Sequence, residues 1–223
     1  MKEKWLFIHG GWAGSWQWTP ITEILNSQNI DTLAPTMPGM GEPDASEITL
    51  DDHLIYLERL LNDVSHPINI ASFCFGGLSA TAFAGKYPEM IKKLVYIDAF
   101  IPKPGQSYSD LVGKKIFRQI LNYTDFFGDN NMIPPFFEDD HRFCNHPLKT
   151  IYTKVNFNQE ILNSLNPVYI QCTNKDPLWT TFTPILDKTV ENIKKNDWLL
   201  KQIHSDHMPM FTHTKELCNI LLE

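Results

Sequence analysis

The segment Ile68-Asn69-Ile70-Ala71-Ser72-Phe73-Cys74-Phe75-Gly76-Gly77-Leu78-Ser79-Ala80 constrains this chain more than any other stretch. An apolar run leads into Gly76, Gly77, Ala80, Ala82 and Ala84. This pattern predicts a buried strand, a hard turn and a helix packed very close to the sheet. Ser72-x-Cys74-x-Gly76 has the spacing of a nucleophile elbow, with Ser for its first Gly and Cys as the nucleophile. A side chain on such a turn projects at the top of the sheet. The helix N-terminus beside it supplies free N–H groups and partial positive charge, which favours thiolate over thiol. A structural cysteine on a tight turn satisfies the same short pattern, so the rest of the chain decides between the two.

At 223 residues the chain is long enough for one sizeable core, and a single domain over 1–223 is expected. A 43% hydrophobic and 20% charged composition fits neither a disordered nor a membrane protein. The formal charge is 19 − 26 = −7 with no basic block, which argues against nucleic acid and anionic membrane surfaces as partners. No signal peptide or membrane span is visible. Cys74, Cys144, Cys172 and Cys218 are too scattered for a disulfide framework, and a cytoplasmic location is expected. The composition also admits a homodimer.

In chain order, Trp5–Ile8 reads as a short strand running into His9-Gly10-Gly11-Trp12-Ala13-Gly14-Ser15-Trp16. A glycine-rich loop after a central strand can aim backbone N–H groups into a site. Half of an oxyanion hole is expected from it, the other half being the N–H of Phe75. His9 is expected to orient this loop. A helix over about 16–26, a strand over 30–34 and a turn at Met37-Pro38-Gly39-Met40-Gly41 follow. Leu50, Leu54, Leu57, Leu61 and Val64 predict an amphipathic helix, with His53 on its solvated face. Further apolar strands lie at Leu94–Ile97, Val168–Thr173 and about 198–203. Strands without polar alternation, separated by helices, predict a mostly parallel sheet of about six strands covered on both faces. The core is expected over 1–102 and 166–223, with a lid, 103–165, inserted after the fourth strand; that stretch is rich in aromatic and turn residues. His141-x2-Cys144-x-His146 inside it matches no common zinc pattern, and neither metal nor cofactor is expected.

Cys74, Asp176 and His207 follow one another, each just beyond the end of a strand, in the chain order nucleophile–acid–base of α/β-hydrolases. His207 shares the proton of Cys74, while Asp176 holds the imidazole in the right tautomer. His204 and Asp98 also sit at strand ends and compete for the base and acid roles. His9–Trp16, the elbow, Tyr87-Pro88-Glu89, Tyr169–Thr173 and Asp206-His207-Met208 together resemble the plant methylesterase and hydroxynitrile lyase family, bacterial relatives included. The likeness covers nearly the whole chain. Its lyases resemble one another in having Thr after the first-strand His and Lys after the catalytic His. Gly10 and Met208 stand there in this chain, as in the esterases. The resemblance therefore implies ester hydrolysis, with Gly11 and Phe75 N–H groups as oxyanion hole. Ser72, Phe73 and Cys74 depart from the family's Gly-x-Ser, and Thr173–Asp176 is one residue longer than its counterpart.

Cleavage of an ester, lactone or thioester through an acyl-thioester intermediate is the reaction these residues predict. Acyl transfer, ring closure or C–C cleavage at the same site is the enzymatic alternative. A ligand-binding receptor on a hydrolase scaffold is the alternative of another class. Gly10, Trp12, Phe73 and Met208 are expected around a small-molecule substrate with an apolar or aromatic acyl group, free or carrier-bound.

Overall fold

A computed structural model describes residues 3–129, 131–136, 140–175 and 179–223. Six strands form one parallel sheet: β1 (Lys4–Ile8), β2 (Asp31–Leu33), β3 (Ile68–Phe73), β4 (Ile91–Ile97), β7 (Val168–Cys172) and β8 (Leu199–Ile203). Their order across the sheet is β2-β1-β3-β4-β7-β8. β1 beyond Lys4 and the whole of β3, Asn69 and Ser72 included, are buried because both faces are covered. Trp5, Phe7, Ala71 and Phe73 enter one core, and Leu6, Ile8, Ile68 and Ile70 the other. Alternate residues of a strand point to opposite faces, so one run serves two cores.

Helices α1 (Thr19–Ser27) and α9 (Thr214–Leu222) bury Ile21, Leu25, Leu217 and Leu221 on the first face. On the second face, α2 (Leu50–Leu61) and α3 (Gly76–Lys86) bury Leu57, Leu61, Phe83 and Ala84. A capping box starts α2, with Thr49 Oγ1 accepting from Asp52 N and Asp52 Oδ2 accepting from Thr49 N. His53, expected in solvent, is 1% exposed. It donates from Nε2 to Pro38 O and takes the Ser79 hydroxyl on Nδ1, both over 3.0 Å. It lies between Leu50 and Leu57 on the buried face of α2, where two partners outside the helix satisfy it.

Between β4 and β7 the chain forms an insertion. It contains α4 (Tyr108–Phe127), the two-stranded β5 (Met132–Ile133) and β6 (His146–Pro147), α5 (Leu148–Tyr152) and α6 (Gln159–Ser164). Gly113 interrupts α4 with φ 81° and ψ 163°, a conformation open essentially only to glycine. After β7, α7 (Thr183–Lys195) leads to β8, and the short α8 (Pro209–Thr212) precedes α9.

Candidate active site

Cys74 stands between β3 and α3 with φ 50°, a left-handed backbone unusual for a residue with a Cβ. Hydrogen bonds enforce it: Cys74 N donates to Ile97 O over 3.3 Å, and Cys74 O accepts from Gly77 N and Phe100 N over 3.2 and 3.0 Å. The glycines that follow answer to distance. A Cβ on Gly76 would lie 2.4 Å from His9 O, and one on Gly77 2.4 Å from Phe100 O. The helix therefore starts in contact with the ends of β1 and β4.

The sequence reading favoured a readily formed thiolate, but Cys74 is only 6% exposed, and burial pushes its thiol up to about 12. Hydrogen bonding from the backbone of Phe75 and Gly11 pulls the other way, and the Asp98 charge adds to the rise. Burial thus favours the thiol over the thiolate at this turn. The same two backbone groups beside the sulfur are the expected oxyanion donors.

His207, on the loop after β8, is 1% exposed, and its Nδ1 lies 2.6 Å from Asp98 Oδ2. Among the described residues Nε2 has no hydrogen-bond partner. The ring is gripped by aromatics, with centroids 4.6 Å from Phe73 and 3.7 Å from Trp179. His204, the competing base, is exposed and lies 3.3 Å from Thr173 Oγ1.

Asp98 follows β4 with φ 41° and is fully buried. Its second oxygen, Oδ1, lies 3.1 Å from Lys175 Nζ and accepts from Cys172 N over 3.4 Å. Lys175 is itself nearly buried and donates to Cys172 O over 2.6 Å. Asp176, the acid preferred from the sequence, lies outside the described residues. The carboxylate that meets His207 is that of Asp98, the alternative. Asp98 reaches the imidazole because β4 is central and its end faces the loop after β8 across the end of β7.

A cavity of about 220 Å³ opens over Cys74. Trp12, Phe75, Phe100, Phe136, Trp179 and Phe182 line it together with Tyr108, Ile116 and Ile120 from α4, while Gln119 and Thr181 are its other polar neighbours. Of the four expected pocket residues, Trp12 borders the cavity. Phe73 lies against the His207 ring, and Gly10 packs under it: an added Cβ would come 3.0 Å from Phe73 and 3.2 Å from Cys74 Cβ. Met208 packs against the hydrophobic core and is the N-cap residue before α8, with its N–H on Asp206 Oδ1 at 3.0 Å. The sequence reading missed Tyr108. It is 2% exposed and packs its ring on Phe75 and Phe100. The alternation Tyr108, Val112, Ile116, Ile120 at helical spacing was the available signal.

His9 orients its loop, as expected, accepting Met37 N on Nε2 over 2.9 Å and donating from Nδ1 to Gly10 O over 2.7 Å. Among the described residues no group of three or more His, Cys, Asp or Glu side chains is arranged to hold a metal ion. No helix among them is long and apolar enough to cross a membrane.

Residues 5–220 match the profile of the alpha/beta hydrolase family. Methylesterase 7 of Arabidopsis thaliana is 23% identical over 100% of this chain and 96% of its own. A carbendazim hydrolyzing esterase of Nocardioides is 27% identical over 50% of this chain, which spans 48% of that relative's length. Among solved structures, an extracellular alpha/beta-hydrolase from a Paenibacillus species superposes with a TM-score of 0.78 at 18% identity, covering 99% of this chain and 98% of that one. Polyneuridine aldehyde esterase superposes with a TM-score of 0.73 at 18% identity, covering 100% and 98%. At these identities the two structures establish the fold.

Proposed function

The chain belongs to the alpha/beta hydrolase family, and from that premise we propose that it cleaves an ester, lactone or thioester through Cys74, His207 and Asp98. The observation that carries the reading is the 2.6 Å bond from His207 Nδ1 to Asp98 beside the elbow, and Nε2, which has no hydrogen-bond partner among the described residues, is then the nitrogen that serves Cys74. Asp98 fixes the tautomer in which Nε2 is basic and stabilises the imidazolium. Nε2 takes the thiol proton as sulfur attacks the carbonyl carbon. The carbonyl oxygen gains charge facing the N–H groups of Gly11 and Phe75. The imidazolium then returns the proton to the leaving oxygen or sulfur. Water, deprotonated by the same nitrogen, releases the acid from the thioester and restores Cys74.

The cavity suits a small apolar or aromatic acyl group, and the insertion that roofs it acts as a lid. The esterase names of the relatives support ester substrates. One observation favours a second outcome. Burial leaves few polar partners for a water in this cavity, and a thioester passes its acyl group readily to an amine or carbon nucleophile, so transfer or ring closure competes with hydrolysis. A non-catalytic receptor is disfavoured by the position of Phe73, which supports His207 and leaves the cavity open.

Turnover of p-nitrophenyl acetate and butyrate, with Cys74→Ala alongside, tests the reading, together with intact-protein mass spectrometry of the acylated enzyme. Release that is lost in Cys74→Ala, and an adduct of the acyl mass on Cys74, are expected. Equal release by both proteins rejects the assignment.

A further inference from the structure

His141-x2-Cys144-x-His146 is a concentration of ligand-type residues that the reaction above leaves unused. Its second half clasps Trp12. Cys144 N donates to Trp12 O over 2.8 Å, and Cys144 Sγ approaches the same oxygen at 3.5 Å. Trp12 N donates to His146 Nδ1 over 3.4 Å, the longest of the N–H contacts, and the Trp12 indole N–H donates to Ile133 O over 3.1 Å. All three partners belong to the insertion, on or beside the β5–β6 pair. Trp12 sits at φ 59°, in the left-handed region, where a residue with a Cβ stays only when its surroundings hold it.

His146 packs beside both residues of the expected oxyanion hole. Its ring centroid is 4.6 Å from that of Phe75, and a Cβ on Gly11 would lie 3.4 Å from Nδ1. Since Trp12 N–H occupies Nδ1, the ring carries its proton on Nε2 and donates it to Thr150 Oγ1 over 2.7 Å. Thr150 in turn donates to Pro147 O over 2.8 Å. The chain of bonds thus sets the tautomer, and burial keeps the ring neutral. A protonated ring would have no lone pair for Trp12.

We propose that His146 is a positioning residue for acyl chemistry: by accepting Trp12 N–H it fixes the peptide after Gly11, so that the Gly11 N–H faces the substrate oxygen. Docking of the insertion and assembly of the oxyanion hole are then one event. The inference rests on the esterase reading.

His146→Asn and His146→Gln test it. Asn places an acceptor where Nδ1 stood and gives up Thr150. Gln reaches toward Thr150 and gives up Trp12. Three readouts are compared: kcat/KM for p-nitrophenyl butyrate, inhibition by an alkyl trifluoromethyl ketone, whose adduct with Cys74 carries an oxyanion, and alkylation of Cys74 by iodoacetamide, which needs no oxyanion hole. His146→Gln is expected to lose about 10- to 100-fold in kcat/KM and a similar factor in ketone affinity, with alkylation within about twofold of the unmodified protein. His146→Asn should recover most of the loss. Equal losses in both variants, or alkylation falling in step with hydrolysis, would make His146 a packing residue and overturn the proposal. If the unmodified protein turns over no ester, the esterase reading falls with it. If it does and His146→Gln matches it, only the positioning role falls.

Discussion

Cys74 keeps its proton at neutral pH because burial outweighs the helix end beside it. In the proposed mechanism its reactivity therefore depends on His207. Iodoacetamide is expected to label Cys74 first among the four cysteines, and His207→Ala to abolish that advantage. Cys144, more exposed but raised to about 11 and with no base beside it among the described residues, should label slowly in both proteins. First labelling at Cys144 would remove Cys74 from the mechanism. Asp98→Asn is expected to lower kcat by about three to four orders of magnitude, since the amide would hold the wrong tautomer, while Asp176→Asn should change it little. The reverse ranking would return the acid role to Asp176. The elbow and the His after the last strand were legible in the sequence because both are local patterns. The carboxylate beside His207 was not, because Asp98 and Asp176 both follow strands. Which one meets His207 depends on how two strand ends face across a third. Lys175 was also hidden: nothing local marks it as the ion partner of Asp98.

At the scale of elements, α3 is the part whose placement tolerates least. Gly77→Ala would set a Cβ against a backbone oxygen 2.4 Å away, and a backbone atom cannot step aside as a side-chain tip can. A loss of about 1–3 kcal/mol is expected, read as a lower urea midpoint at unchanged slope. Phe100, whose oxygen is struck, also bonds to Cys74 O, so turnover should fall further than stability predicts. An unchanged midpoint would mean that α3 sits farther from β4 than described. The sheet and its covering helices were readable from continuous apolar runs. The inward turn of His53 was not, because its two partners, Ser79 and Pro38, lie 26 and 15 residues away.

Across the whole molecule, three neutral histidines, His9, His53 and His146, stand buried behind the oxyanion loop. Burial lowers His9 and His53 to about 4 from the ordinary 6.5. Between those values the unfolded chain binds more protons, so the stability present at neutral pH is lost as pH falls. At pH 5 the loss is about 2 kcal/mol per ring, and His146 acts with the same sign. Urea unfolding at pH 7.5 and 5.0 should show the fall, and equal midpoints would mean that these rings meet water. The break at Gly113 bears on a different property. It divides α4 into a short piece carrying Tyr108 and a long one carrying Ile116 and Ile120, all three on the cavity wall. No atom would crowd a side chain there, so only the torsion excludes one. The cavity wall that α4 supplies thus bends at Gly113, while Cys74 below it is tied by backbone hydrogen bonds to Ile97 and Phe100. Gly113→Ala should re-rank acetate, butyrate and octanoate esters and leave Cys74 alkylation alone. The torsion of one residue outside the reacting groups would then set which acyl chains the cavity admits.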